Sequence, residues 1–194
     1  MKIDTLKLIF SLVLTALLIS CADNPTPRPY GYFRVDLPPH QYVRYDSAAL
    51  PYRFDKPVIA SIKPVTEKGE NYWIDINYST LKASIYCSYI PVRANLFNLL
   101  EDSRKIVYKH TVRADGISET PFENPGRKVY GILYQLSGNT ASPAQFVLTD
   151  SSKHFFRGAL YFEQVPNKDS IAPMADYIRK DIIQLMESFE WKNN

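Results

Sequence analysis

The sequence predicts an α+β fold, a mostly antiparallel sheet with two packed helices. Three observations carry this reading. Between Leu50 and Glu163 most stretches alternate at a period of two and are rich in Tyr, Ile and Val, the pattern of half-buried pleated strands. Only two stretches repeat apolar residues at steps of three and four, one starting near Asn95 and one near Ser170. Short turn-forming segments separate most strands, which joins neighbours as antiparallel hairpins. Strands, helix, strands, helix in one short domain is the order of an antiparallel sheet with helices laid on it.

The chain opens with a leader over residues 1–20. Lys2 and Lys7 precede an apolar run from Leu8 to Ile19, broken by Ser11 and Thr15. That run is short of the ~20 residues a spanning helix needs and has the dimensions of a secretory signal. It closes on Leu18-Ile19-Ser20-Cys21, the pattern read by the lipoprotein signal peptidase. The thiol of Cys21 takes a diacylglyceryl group, and cleavage exposes a new amino terminus. Each buried methylene contributes ~0.8 kcal/mol, so several chains on one residue anchor firmly where one alone holds marginally. The alternatives are an ordinary secretory signal with a chance cysteine, or an uncleaved helix.

Residues 21–29 read as a tether. Pro25, Pro27 and Pro29 fix φ and remove donors, which favours an extended stalk holding the domain off the bilayer. The domain, 30–194, starts with an aromatic arm containing Tyr30, Tyr32, Phe33 and Arg34. These side chains either pack back on the domain or meet a partner, for which aromatic and Arg residues are the usual anchors.

The strands and helices then follow in order. Pro51 to Asp55 alternates aromatic and charged residues, and Val58 to Ile62 continues the β pattern. Pro64 to Asn71 is a polar loop. Tyr72 to Tyr78 and Ala83 to Tyr89 form a hairpin across Ser79-Thr80-Leu81. The first helix runs from about Asn95 to Tyr108, with Leu96, Leu99, Leu100, Ser103 and Val107 on one face. Asn95 is its expected cap, and Glu101 with Lys105 an i,i+4 pair on the wet side. A loop is expected over Glu119 to Arg127. Three strands follow at Lys128 to Leu136, Ala144 to Thr149 and His154 to Glu163, with turns at Gly138-Asn139-Thr140 and Asp150 to Lys153. The last helix, about Ser170 to Phe189, carries a stripe of Ile171, Met174, Ile178, Ile182, Leu185 and Phe189. Asp169 or Ser170 is its expected cap, and Pro173 is placed in the first turn.

Composition narrows the function. Removing 1–20 from 194 residues leaves 174, and 45% apolar residues suffice for one core. The net charge of +3 falls to about +2 without Lys2, Asp4 and Lys7, which gives no argument for nucleic acid. Cys87 alternates in phase with Ala83 and Ile85 and reads as a small core residue, the alternative being a reactive thiol. With Cys21 lipidated, no intramolecular disulfide forms. The chain has no HExxH, GxSxG, P-loop, GxGxxG or CxxC. His40, His110 and His154 are far apart without a second ligand at metal-binding spacing, and read as surface or edge residues. Ser103, His110 and Asp115 can be assembled into a triad on paper, but triads are recognised by geometry. Asp75 and Asp102 have no readable partner. No catalytic residue, cofactor or metal is expected, and the chain does not read as an enzyme. Within 138–162 the plain reading is hairpins with their turns, and the functional one is a loop cluster at Asn139, Thr140 and Ser142 that meets a partner.

Several strings resemble the gliding-motility lipoprotein GldD family. They are the lipobox at Cys21, the run from Thr26 to Pro38, Glu101-Asp102-Ser103-Arg104-Lys105 with Tyr108-Lys109-His110-Thr111, the 138–162 segment, and Asp181 to Trp191. Together they span nearly the whole mature chain. One departure is that the family is associated with cysteines near positions 50 and 72, where Leu50 and Tyr72 stand. The resemblance implies a lipid-anchored, periplasm-facing accessory of the gliding and type IX secretion machinery, with other envelope proteins as partners and no catalytic residues to carry over. Ala22-Asp23-Asn24 lacks the acidic run that resembles a surface-export signal, which favours the periplasmic side. The competing expectation is an envelope ligand-binding module or hydrolase, with a deep pocket where His154 meets a carboxylate. The order of elements also resembles the Mog1/PsbP-like architecture, an analogy of fold alone.

Overall fold

The computed structural model describes residues 36–67, 69, 71–109, 114–163 and 168–192. The leader, Cys21, the tether, Tyr30, Tyr32, Phe33, Arg34 and His110 lie outside the described residues.

The expected α+β class holds. Ten strands and two α-helices are described: β1 (Tyr42–Tyr45), β2 (Tyr52–Pro57), β3 (Ser61–Pro64), β4 (Ile74–Tyr78), β5 (Ala83–Pro91), α1 (Leu96–Tyr108), β6 (Ala114–Asn124), β7 (Val129–Gly138), β8 (Ala144–Thr149), β9 (His154–Phe162), α2 (Lys168–Ser188) and β10 (Glu190–Trp191). Seven strands form one antiparallel sheet in the order β3-β4-β5-β9-β8-β7-β6. A smaller sheet runs β1-β2-β10.

Alternation decides which face each side chain takes. Ile74, Ile76 and Tyr78 of β4, Ile85 and Cys87 of β5, Phe146 and Leu148 of β8, and Phe156 and Leu160 of β9 point into one core. The stripe on α2, with Ile171, Met174, Ile178, Ile182 and Leu185, closes that core. Tyr52 and Phe54 of β2 enter it beside Phe189, with ring centroids 5.6 and 6.2 Å from that ring. On the other face α1 lays Leu96, Leu99, Leu100 and Val107 over Tyr134, Leu136, Val147 and Phe155. Cys87 is buried as expected, and burial pushes its thiol far above the ordinary value.

The second sheet is held by charge. Glu190 on β10 meets Arg44 at 2.8 Å, Arg53 at 2.6 Å and Arg127 at 3.6 Å. Burial alone would raise the Glu190 carboxyl, but these guanidinium groups hold it below the ordinary range.

Several local expectations are corrected. The stretch 119–127 is not a loop: β6 runs through Asn124, and only Pro125–Arg127 turns, as a 3-10 helix. As an edge strand β6 has one neighbour, which leaves most of its residues exposed and tolerates Pro121. Such a strand has no alternation to read. Short, half-exposed β1 was missed for the same reason. Asn95 precedes α1 but makes no side-chain cap bond to it; its Oδ1 accepts from the Arg93 amide at 2.8 Å. Lys105 reaches Asp102 at 3.5 Å rather than Glu101. α2 begins at Lys168, so Asp169 and Ser170 are inside it and Pro173 falls in its second turn. It ends at Ser188, and the chain passes through Phe189 into β10.

Candidate functional site

Polar groups gather around α2 at an open place and at a closed one. The open one is a cleft of about 480 Å³ between the β6–β7 pair and the first half of α2. Ile117, Leu136 and Pro143 face Ile171 and Ala175 across it, and Asp176 and Arg179 sit on its α2 side. The Arg179 guanidinium donates to the Asp176 carboxylate one turn earlier. Ser118, Gln135 and Ser137 also line it, so the cleft joins apolar side chains to hydrogen-bonding groups and one ion pair.

The Gly138-Asn139-Thr140 turn borders this cleft through Gly138, which adopts φ +99 where a side chain would strain. Asn139 is exposed there. Thr140 is not presented to a partner: it is 1% exposed, and its Oγ1 accepts from the Ser142 amide at 3.4 Å. Ser142 is buried too, with its hydroxyl donating to the Ala144 carbonyl at 3.5 Å. A polar residue in a turn reads as exposed, but this turn folds its hydroxyls onto its own backbone.

The closed place is centred on Asp181, which is 1% exposed. Its Oδ1 lies 2.7 Å from His40 Nδ1 and accepts from the Tyr42 hydroxyl at 2.9 Å. Its Oδ2 accepts from the Tyr78 hydroxyl at 3.1 Å. The His40 ring stacks on Tyr177, one helical turn before Asp181, with centroids 4.1 Å apart. Burial raises the Asp181 carboxyl above its ordinary range, and hydrogen bonds from His40, Tyr42 and Tyr78 offset part of that rise. Burial together with the Asp181 charge pushes the Tyr42 and Tyr78 hydroxyls up, so both remain donors. The cluster therefore clamps the segment leading into β1 and strand β4 onto α2.

Sequence reasoning placed His40 on the surface and passed over Asp181. One signal was available: Asp181 stands three residues after Ile178 and one before Ile182, a carboxylate on the apolar stripe of its helix. A charge there must be paired.

His154 is not among the residues that line the cleft beside α2. Its Nδ1 meets the Tyr89 hydroxyl at 2.7 Å, and its ring stacks on Trp191 with centroids 4.9 Å apart. Asp150 does meet His154, but through the backbone amide at 2.8 Å, alongside the amides of Ser152 and Lys153. Burial would raise the Asp150 carboxyl, yet these three donors hold it below the ordinary range. Ser103 is buried in α1. Asp75 faces Lys63 across β3 and β4, and burial raises its carboxyl despite that lysine. Among the described residues no group of three or more His, Cys, Asp or Glu is placed to hold a metal ion.

The fold and these sites define a class: an α+β domain with a helix on each face of an antiparallel sheet and a buried carboxylate that holds elements together. The chain belongs to the gliding motility lipoprotein GldD family, whose sequence profile matches residues 22–191. Among solved structures it is similar to the solution structure of cyanobacterial PsbP (CyanoP) from Synechocystis sp. PCC 6803, at 12% identity and a TM-score of 0.49, covering 84% of this chain and 99% of that one. No curated protein matches the chain.

Proposed function

We propose that this lipoprotein is a non-enzymatic accessory of the gliding motility and type IX secretion machinery, anchored through lipid on Cys21 and facing the periplasm. The match to the gliding motility lipoprotein family over 22–191 carries the reading, because it begins at the residue after the lipidation cysteine and runs to the end of the fold. The charged groups support a role in contact rather than chemistry. Asp181, Asp150 and Glu190 are each engaged by protein donors that fix the fold. Among the described residues no helix is long and apolar enough to cross a membrane. Partners are other envelope proteins of the same machinery, met through Tyr30, Tyr32, Phe33 and Arg34 of the arm and Asn139 beside the cleft.

Deleting the gene in its own host tests this directly. The expected result is loss of both colony spreading and type IX cargo outside the cell, restored by the wild-type gene. Spreading lost with normal secretion would narrow the role to motility. Normal behaviour in both assays would overturn the proposal. In the complemented strain, replacing Tyr32, Phe33 and Arg34 together is expected to weaken co-purification of the complex without unfolding the domain. The cleft beside Asn139 favours a second reading, an envelope ligand-binding module. That reading predicts retained secretion and spreading with altered envelope composition.

A further inference from the structure

The sheet face that carries α1 is only partly covered by it. α1 packs over Ile90, Val147 and Phe155. Beyond this footprint the same face presents Asp75 on β4, Tyr86 and Ser88 on β5, and Arg157 and Tyr161 on β9. Cross-strand register fixes that arrangement, with Tyr86 opposite Asp75 and Arg157 opposite Ser88.

Arg157 stands out by its partners. It is partly buried, and its Nη2 donates to Gln145 Oε1 at 2.7 Å. That bond uses one of the five N–H groups of a guanidinium. Gln145 is itself 1% exposed, and its Nε2 has no acceptor. Arg44, Arg53, Arg104, Arg127 and Arg179 each meet a carboxylate, whereas among the described residues Arg157 and Arg93 meet none, and of these two Arg93 is exposed and Arg157 is partly buried. Burial lowers its pKa, as for a cation drawn out of water without a counter-charge. The carboxylate of Asp75 on this face already has a cation facing it, since Lys63 stands opposite on β3 and counters the rise that burial causes in its pKa.

The surroundings indicate what would supply the missing carboxylate. Tyr86 is 52% exposed although it sits in the middle of a strand, and its ring lies 5.8 Å from that of Tyr161. None of these residues lines the cleft beside α2, so the patch is a face rather than a pocket. An exposed tyrosine and a partly exposed one beside a half-buried arginine are the composition of an interface anchor.

We propose that this face docks a partner protein, which places an Asp or Glu carboxylate on the Arg157 guanidinium and packs its neighbouring residues on Tyr86 and Tyr161. Gln145 positions the guanidinium by holding Nη2, leaving its remaining N–H groups for a charge-assisted bond. The inference rests on the protein acting through contacts, as proposed above.

The test uses the full-length protein in its own cells, with the photo-crosslinking amino acid p-benzoylphenylalanine introduced in place of Tyr86. The expected result is one discrete polypeptide adduct whose attachment point maps within a few residues of an Asp or Glu. Arg157→Gln should lower the adduct yield roughly tenfold, because truncating one partner of a desolvated charge pair acts on dissociation. Arg157→Lys should retain more of the yield, and Tyr161→Ala, a change in a partly exposed side chain, should also lower it. Thermal melting of each purified variant checks that it is folded. An adduct unaffected by Arg157→Gln, an adduct to lipid or to a second copy of this chain, or no adduct from a chain that still restores colony spreading would each overturn the proposal. Failure of the deletion strain to show any defect would instead overturn the functional reading, whatever the crosslink shows.

Discussion

Asp181 and Asp150 are both drawn partly out of water, and the groups facing them give opposite linkage to pH. The native fold holds the Asp181 carboxyl above 3.8, so between that value and the native one the folded state binds more protons than the unfolded chain. Its contribution to stability is complete below pH 3.8 and is lost as pH rises through the native value. The Asp150 carboxyl is held below 3.8, so its contribution is present above that pH and is lost as pH falls through the native value. Chemical denaturation of Asp181→Asn across the acid range is expected to show less loss of stability on raising pH than the wild type. In Asp150→Asn the acid-side loss should be smaller. Asp181→Ala is a different case, because it leaves the buried Tyr78 hydroxyl without its acceptor. A cost of about 1–3 kcal/mol is expected at neutral pH, read as a lower denaturation midpoint.

At the scale of elements, the central strands tolerate no extra volume. β8 is buried along its whole length, and Phe146 fills the space beside Gly158 of β9. A Cβ built on Gly158 would stand 2.3 Å from the Phe146 ring, far inside contact distance. Gly158→Ala is therefore expected to destabilise by about 1–3 kcal/mol, as an overpacked core does, with the denaturant slope unchanged. The same substitution at Gly116 on edge strand β6 meets only the Ser137 hydroxyl at 3.4 Å and should cost less. A melting comparison of the two variants checks the contrast.

At the scale of the molecule, the Asp181 clamp and the Glu190 ion cluster tie the segments at both ends of the described chain to its middle. His40 and Tyr42 are held on α2, and β10 is held to β2 and to Arg127. Such a domain can be carried on a single N-terminal anchor without depending on it for folding. Cys21→Ala is expected to move the protein from the membrane fraction to the soluble one, with loss of the lipid mass and an unchanged melting curve. Mass spectrometry and fractionation read both. A chain that stays membrane-bound after that change would place the anchor elsewhere.

The sequence by itself determined what is written in local periodicity: the α+β class, β2, the strands from β4 to β9 other than β6, both helices and the inward phase of Cys87. Those features are legible because alternation and helical stripes are properties of neighbours in the chain. The tertiary structure decided the rest. Edge strands β1 and β6 depend on which strand lies beside them, and β10 exists only because β2 is there to pair with it. Thr140 turned inward because its loop closes on its own backbone. Asp181 meets His40 across 141 positions of sequence, and Arg157 meets Gln145 because β8 and β9 lie side by side. Pairings at that separation follow from packing, which no local pattern encodes.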